Sequence, residues 1–162
     1  EYPPIKLSNI VAGYNFDASL PVGKTKDVIV VGYGASELED ILKAELDKVG
    51  RYIVPDPQPE KGFFYRSDHI SFSKKGVPML YADSGFDKID GGKEAGRAFG
   101  DEYTAKYYHQ PSDEYDPDWD LSGFADQLTL TTKMVKYLAD SDRWPEWYEG
   151  NEFRSIREES RK

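Results

Sequence analysis

The apolar positions fall into two spacings, and the spacing decides the elements. Asp27-Val28-Ile29-Val30-Val31-Gly32 is a continuous β-branched run, which predicts a strand buried on both faces. Leu38, Ile41, Leu42, Leu46 and Val49 then recur at helical spacing. Ser36 with Glu39 forms a capping-box pattern ahead of that helix, and Gly50 supplies its stop. A strand, a short loop and a helix in succession predict an α/β fold. Further strands are expected over Asn9 to Phe16, Arg51 to Val54 and Val77 to Ala82. A long helix is expected from Leu121 to Ala139, with Ala125, Leu128, Val135 and Leu138 on its apolar face and an Asp or Ser cap near its start.

The polar and broken stretches separate these elements. Pro3-Pro4 keeps the first residues extended, and Pro55, Pro57 and Pro59 make a stiff, irregular connection. Phe63-Phe64-Tyr65 is an aromatic cluster, read as core ahead of binding surface. Asp68 or Ser67 caps a short helix that Gly76 ends. Residues 83–106 are rich in Gly, Asp and Lys without periodicity, which predicts a long loop with a short helix near Lys93 to Phe99. Asp113 to Asp120 reads as a solvated acidic turn. Arg143-Trp144-Pro145-Glu146-Trp147 is an aromatic anchor that folds the C-terminus onto the body, and the charged residues 155–162 are expected to fray.

By length the 162 residues form a single domain, 1–162. The net charge of −9 and pI near 4.8 argue against nucleic acid and against anionic membrane surfaces. The absence of cysteine removes disulfides, thiolate zinc sites and a cysteine nucleophile together. No apolar run approaches the roughly 20 residues of a membrane span, and no signal peptide is visible. The chain opens Glu1-Tyr2-Pro3-Pro4 without an initiator Met, as expected of a processed chain or a piece of something longer. Gly32-Tyr33-Gly34 lacks the third glycine of a dinucleotide loop and a following Lys-Ser/Thr pair. Gly34-Ala35-Ser36-Glu37-Leu38 lacks the closing glycine of a nucleophile elbow.

Chemistry concentrates in Tyr107-Tyr108-His109-Gln110-Pro111-Ser112-Asp113-Glu114, which holds one of the two histidines. Pro111 disfavours a regular helix or central strand there, so His109 is placed on a loop. A neutral imidazole beside carboxylates suits metal ligation; a partly buried turn histidine is the competing reading. Asp17, at the end of the first strand, reads either as a functional carboxylate or as a turn former before Pro21 and Gly23.

Four segments, in order, carry a resemblance. Asn15-Phe16-Asp17 resembles the strand-end Asn-x-Asp of the co-catalytic di-zinc aminopeptidase family, whose superfamily includes glutamate carboxypeptidases and glutaminyl cyclases. Arg66-Ser67-Asp68-His69-Ile70-Ser71-Phe72 with Lys75-Gly76-Val77-Pro78 resembles its Ser-Asp-His-x-x-Phe segment and following strand. Tyr108-His109-Gln110-Pro111-Ser112-Asp113-Glu114 resembles its Tyr-His-x-x-x-Asp/Glu segment, and Trp144-Pro145-Glu146-Trp147 with Glu152-Phe153 resembles the tail of an exported bacterial branch. The resemblance implies that Asp17 binds one zinc and His109 the other, that Tyr108 donates to the oxyanion of the tetrahedral intermediate, and that Asp68 lies by the substrate pocket. Two zincs would polarise the scissile carbonyl and acidify a bridging water, and a phenol would add a donor where negative charge develops. His69 is expected to pack or to stand behind these groups.

The family pattern also requires an upstream His, a bridging Asp and a Glu-Glu pair. No Glu-Glu precedes Asp17; Glu158-Glu159 lies in the charged tail. The resemblance therefore covers the C-terminal half of a catalytic domain. It implies a partial mixed β-sheet with flanking helices, in the aminopeptidase/phosphorylase-like architecture without its N-terminal half. The expected function is a fragment of a secreted (periplasmic or extracellular) metallo-aminopeptidase acting on peptides, inactive alone and holding zinc weakly, since catalytic zinc takes three protein ligands and a water. Its expected partners are the missing N-terminal half, or a second copy through an exposed sheet edge. The alternatives are a non-catalytic peptidase-like binding module and a glutaminyl cyclase-type acyltransferase.

Overall fold

The structure, a computed structural model, describes residues 4–17 and 19–162. A short 3₁₀ turn at Leu7–Asn9 leads into β1 (Gly13–Asn15), followed by β2 (Asp27–Val31), α1 (Leu38–Asp47) and β3 (Tyr52–Pro55). A second 3₁₀ turn at Pro59–Lys61 precedes α2 (Phe63–Arg66) and α3 (Ile70–Ser73). Then come β4 (Met79–Ser84), α4 (Gly92–Lys106), α5 (Ser122–Ala139) and α6 (Arg154–Ser160). Among the described residues the strands form one mixed sheet in the order β1-β4-β2-β3. β4 runs parallel to β1 and antiparallel to β2, and β2 runs parallel to β3. The α/β class with a mixed sheet and flanking helices is thus the observed one.

Alternation along the two central strands gives the sheet two different faces. Val28 and Val30 of β2 and Leu80 and Ala82 of β4 point to one side. There they pack with Leu38, Ile41, Leu42 and Leu46 of α1 and with Leu130 and Met134 of α5. Each buried branched side chain contributes about 1.5–3 kcal/mol, so this layer is the main source of stability. The other side carries Ile29 opposite Asp83 and Val31 opposite Tyr81. α1 starts as its pattern predicts, with one shift in the capping. The Glu39 carboxylate accepts from the amides of Gly34 (2.9 Å) and Ala35 (2.7 Å), further back than a capping box reaches. Burial still raises the Glu39 pKa against those bonds.

Four expectations need correction. The first strand is shorter than Asn9 to Phe16, because the 3₁₀ turn takes Leu7–Asn9 and pairing begins at Gly13. α5 buries Gly123, Gln127, Leu130 and Met134; of the Ala125–Leu128–Val135–Leu138 row only Leu138 packs against the core, while Leu128 is 58% and Val135 54% exposed. The buried row was hidden by its glutamine. The Gln127 amide donates to the Ala82 carbonyl (2.8 Å) and the Tyr14 hydroxyl (2.6 Å), so a polar residue faces the core with its donor satisfied. The stretch read as a long loop contains the fifteen-residue helix α4. The charged end where fraying is expected carries α6, whose Arg157 is buried and donates to the carbonyls of Ile10 (2.9 Å) and Val11 (3.2 Å).

The aromatic anchor behaves as predicted. Trp147 is fully buried, its indole donates to the Gly76 carbonyl at 2.9 Å, and it packs with Ala35, Ile70 and Phe153. Gly76 sits at φ 84°, and a Cβ there would lie 2.6 Å from the Arg157 backbone nitrogen. Only glycine allows α3 to end against α6 this closely. Among the described residues no helix is long and apolar enough to cross a membrane.

Candidate functional site

The second sheet face floors an open cavity of about 590 Å³. Ile29, Val31, Tyr81 and Asp83 form the floor, as the register requires. Asp17 and Ser19 enter from beyond the end of β1. Tyr103 and Thr104 of α4 form one wall and continue into Tyr108 and His109. Asp56, Phe63, Arg66 and Ser67 stand across from them, at the connection after β3 and around α2.

The Tyr108–His109 turn is held by a set of local bonds. The Tyr103 carbonyl accepts from the amides of both Tyr107 (2.8 Å) and Tyr108 (3.0 Å), which closes α4. Gln110 N–H donates to Tyr107 O, Asp113 N–H to Gln110 O, and the Ser112 hydroxyl to Lys106 O. The Tyr103 hydroxyl donates to the Asp113 carboxylate at 2.7 Å, and burial with that bond pushes the Tyr103 phenol up to about 12. His109 sits at φ 58°, the one non-glycine residue of positive φ among the described residues. Histidine is one of the residues that tolerates this region. Its ring stacks on Tyr108 with centroids 3.9 Å apart.

Asp17, Tyr108 and His109 therefore share one cavity, and all three are exposed at its mouth. Asp68 does not join them. It is exposed and lies outside the cavity lining, where its neighbours Arg66 and Ser67 stand instead. His69 is the packing histidine: 1% exposed, edge-on to Phe64 (4.7 Å) and Tyr81 (5.4 Å). Neither of its ring nitrogens has a partner among the described residues. Burial pulls its pKa down, against the charges of Asp17 and Asp68.

Asp83 is the site residue that sequence reasoning missed. Burial pushes its carboxyl up to about 6, the Ser19 hydroxyl it accepts from lowers it, and the Asp17 charge adds to the rise. The available signal was alternation: Asp83 is two residues from Tyr81 on β4, so both side chains face the same side. The Tyr81 phenol is raised by burial and then by Asp83 and Asp17.

Asp17 offers a carboxylate oxygen and His109 an imidazole nitrogen, both good zinc donors. Among the described residues no group of three or more His, Asp or Glu is arranged to hold a metal. Among the described residues the donor set falls short of the three protein ligands that a catalytic zinc takes. A model of peptidase family M28 matches residues 2–132, most of the chain. No curated protein and no solved structure gives a significant match.

Proposed function

Because the chain belongs to peptidase family M28, whose members are zinc-dependent peptidases, we propose that it forms the Tyr108–His109 part of an aminopeptidase site and releases N-terminal residues from peptides only when that site is completed. The observation that carries this reading is the meeting of Asp17, Tyr108 and His109 in one open cavity. Zinc, when bound, would supply Lewis-acid activation there. Within this chain Asp17 and His109 contribute one donor each, and the Tyr108 phenol offers a hydrogen bond to an oxygen gaining negative charge. The remaining donors, a His, a bridging Asp and a Glu-Glu pair, would come from sequence outside these residues.

The fold offers a place for that complement. β1 pairs with β4 along one edge, and its other edge has no strand among the described residues. An open edge accepts another strand. A complementary segment added there would enter beside Asp17, two residues past the end of β1. A second copy of this chain is the competing occupant. The exported-branch resemblance of the C-terminal tail supports a periplasmic or extracellular setting.

The incomplete donor set supports one other reading, a peptidase-like module that binds peptides without cleaving them. A single experiment separates the two. A polypeptide carrying the His, Asp and Glu-Glu signatures is supplied in trans with zinc, and aminoacyl nitroanilides are assayed. Hydrolysis by the pair, with kcat lowered about 10²- to 10³-fold by Tyr108→Phe, supports the peptidase. A pair that associates and takes up zinc but stays inactive supports the binding module.

A further inference from the structure

Neither metal binding nor the Tyr108 hydroxyl accounts for Asp83. It stands on the cavity floor opposite Ile29, next to Val31 and Tyr81, with Phe86 beside them. Its hydrogen-bond partner is the neutral Ser19 hydroxyl, and no cation among the described residues acts on it. The two cations of the cavity lining, Lys61 and Arg66, are both exposed, and the Arg66 guanidinium donates to the Lys61 carbonyl at 3.4 Å and lies over the Phe63 ring. A carboxylate on an apolar floor without a counter-charge loses hydration that nothing in the protein returns. A ligand cation entering the cavity returns it.

The depth of the groups assigns the ligand. Asp17, Tyr108 and His109 are exposed at the mouth, whereas Asp83 is partly buried and Tyr81 buried beneath them. A peptide whose first carbonyl lies at the mouth sends its first side chain towards the floor. Apolar walls with one carboxylate at the end suit a long aliphatic stem that ends in positive charge. We propose that Asp83 is a specificity-determining residue that selects a basic side chain, lysine or arginine, at the first position of the peptide. The proposal rests on the peptidase reading for the orientation of the peptide, and binding tests it without requiring hydrolysis.

The test titrates the isotope-labelled chain with lysinamide, argininamide, norleucinamide and glutamic acid 1-amide, following backbone amide shifts. All four share the α-ammonium group, so only the side chain differs. Lysinamide and argininamide are expected to bind about tenfold tighter than norleucinamide, as a charge-assisted contact in a sheltered site gives. Asp83→Asn removes that preference and Asp83→Glu keeps it. If Asp83→Asn does not fold, the wild-type shifts decide. Changes at the Ser19, Ser84 and Gly85 amides with the two basic amides, and not with norleucinamide, support the proposal. Equal affinities overturn it, as does a preference that survives Asp83→Asn, or tightest binding of the glutamic acid amide, which would assign selection to Lys61 and Arg66. The two readings fail separately. Hydrolysis by the completed site without charge preference sinks the role of Asp83 alone, and charge-selective binding without any hydrolysis sinks the peptidase alone.

Discussion

His69 and His109 are one residue type put to opposite uses, and their surroundings explain why. His109 is exposed on a turn that Pro111 keeps out of regular structure, so its place was legible from the chain. His69 is enclosed by Phe64 and Tyr81, and burial lowers its pKa. The native state binds its proton less readily than the unfolded chain, whose histidine titrates near about 6.5. Its contribution to stability is therefore whole above that pH and is lost as pH falls through the lowered native value. Urea unfolding at about pH 7.5 and about pH 5.5, spanning that titration, is expected to show wild type losing more stability on acidification than His69→Phe. Equal losses would mean that His69 binds its proton as readily in the folded protein as in the unfolded chain. Asp17, Tyr108 and His109, named by motif, line one cavity, whereas Asp68, which the same motif sets by the pocket, is exposed and outside that lining, beside Ser67, which is part of it. A motif carries residue order, not the direction of each side chain. Asp83 was missed for the complementary reason: an acidic residue at the end of an apolar strand reads as the start of a loop.

α4 shows the same limit for a whole element. Its sequence has glycines at 92, 96 and 100 and little apolar periodicity, so propensity argued against a helix. Packing explains those glycines. A Cβ on Gly96 would stand 2.0 Å from the Phe86 carbonyl oxygen, and one on Gly100 would stand 3.1 Å from the Phe86 ring. The helix lies this close to the segment after β4, and the closeness brings Tyr103 into the cavity and under the Asp113 turn. Gly96→Ala gains helix propensity yet is expected to destabilise the protein by about 1–3 kcal/mol through overpacking, measured by chemical denaturation. A neutral or stabilising result would show that α4 does not pack on Phe86 as described. β2, α1 and α5 were legible because burial and periodicity agree there. The buried face of α5 was not, because Gln127 stands where the pattern asks for an apolar residue and satisfies its donor on Ala82 and Tyr14.

For the whole molecule, one sheet face is closed by α1 and α5 and the other is left as a cavity floor. The C-terminal segment fixes the body from behind: Trp147 holds Gly76, and Arg157 holds the carbonyls of Ile10 and Val11 just before β1. The strand that leads to Asp17 is thus braced on one side by β4 and from below by α6. The fold class and the family were legible because ordered motifs and strand patterns span most of the chain, as the family match does. The completeness of the site was legible only as a count of donors, and the geometry brings two of them, Asp17 and His109, to one cavity. Titration calorimetry of zinc into the 162-residue chain, alone and with the complementary segment in trans, tests that account most directly. The account predicts weak, non-stoichiometric binding by the chain alone and tight uptake once the complement is present. Tight stoichiometric zinc binding by this chain alone would contradict it.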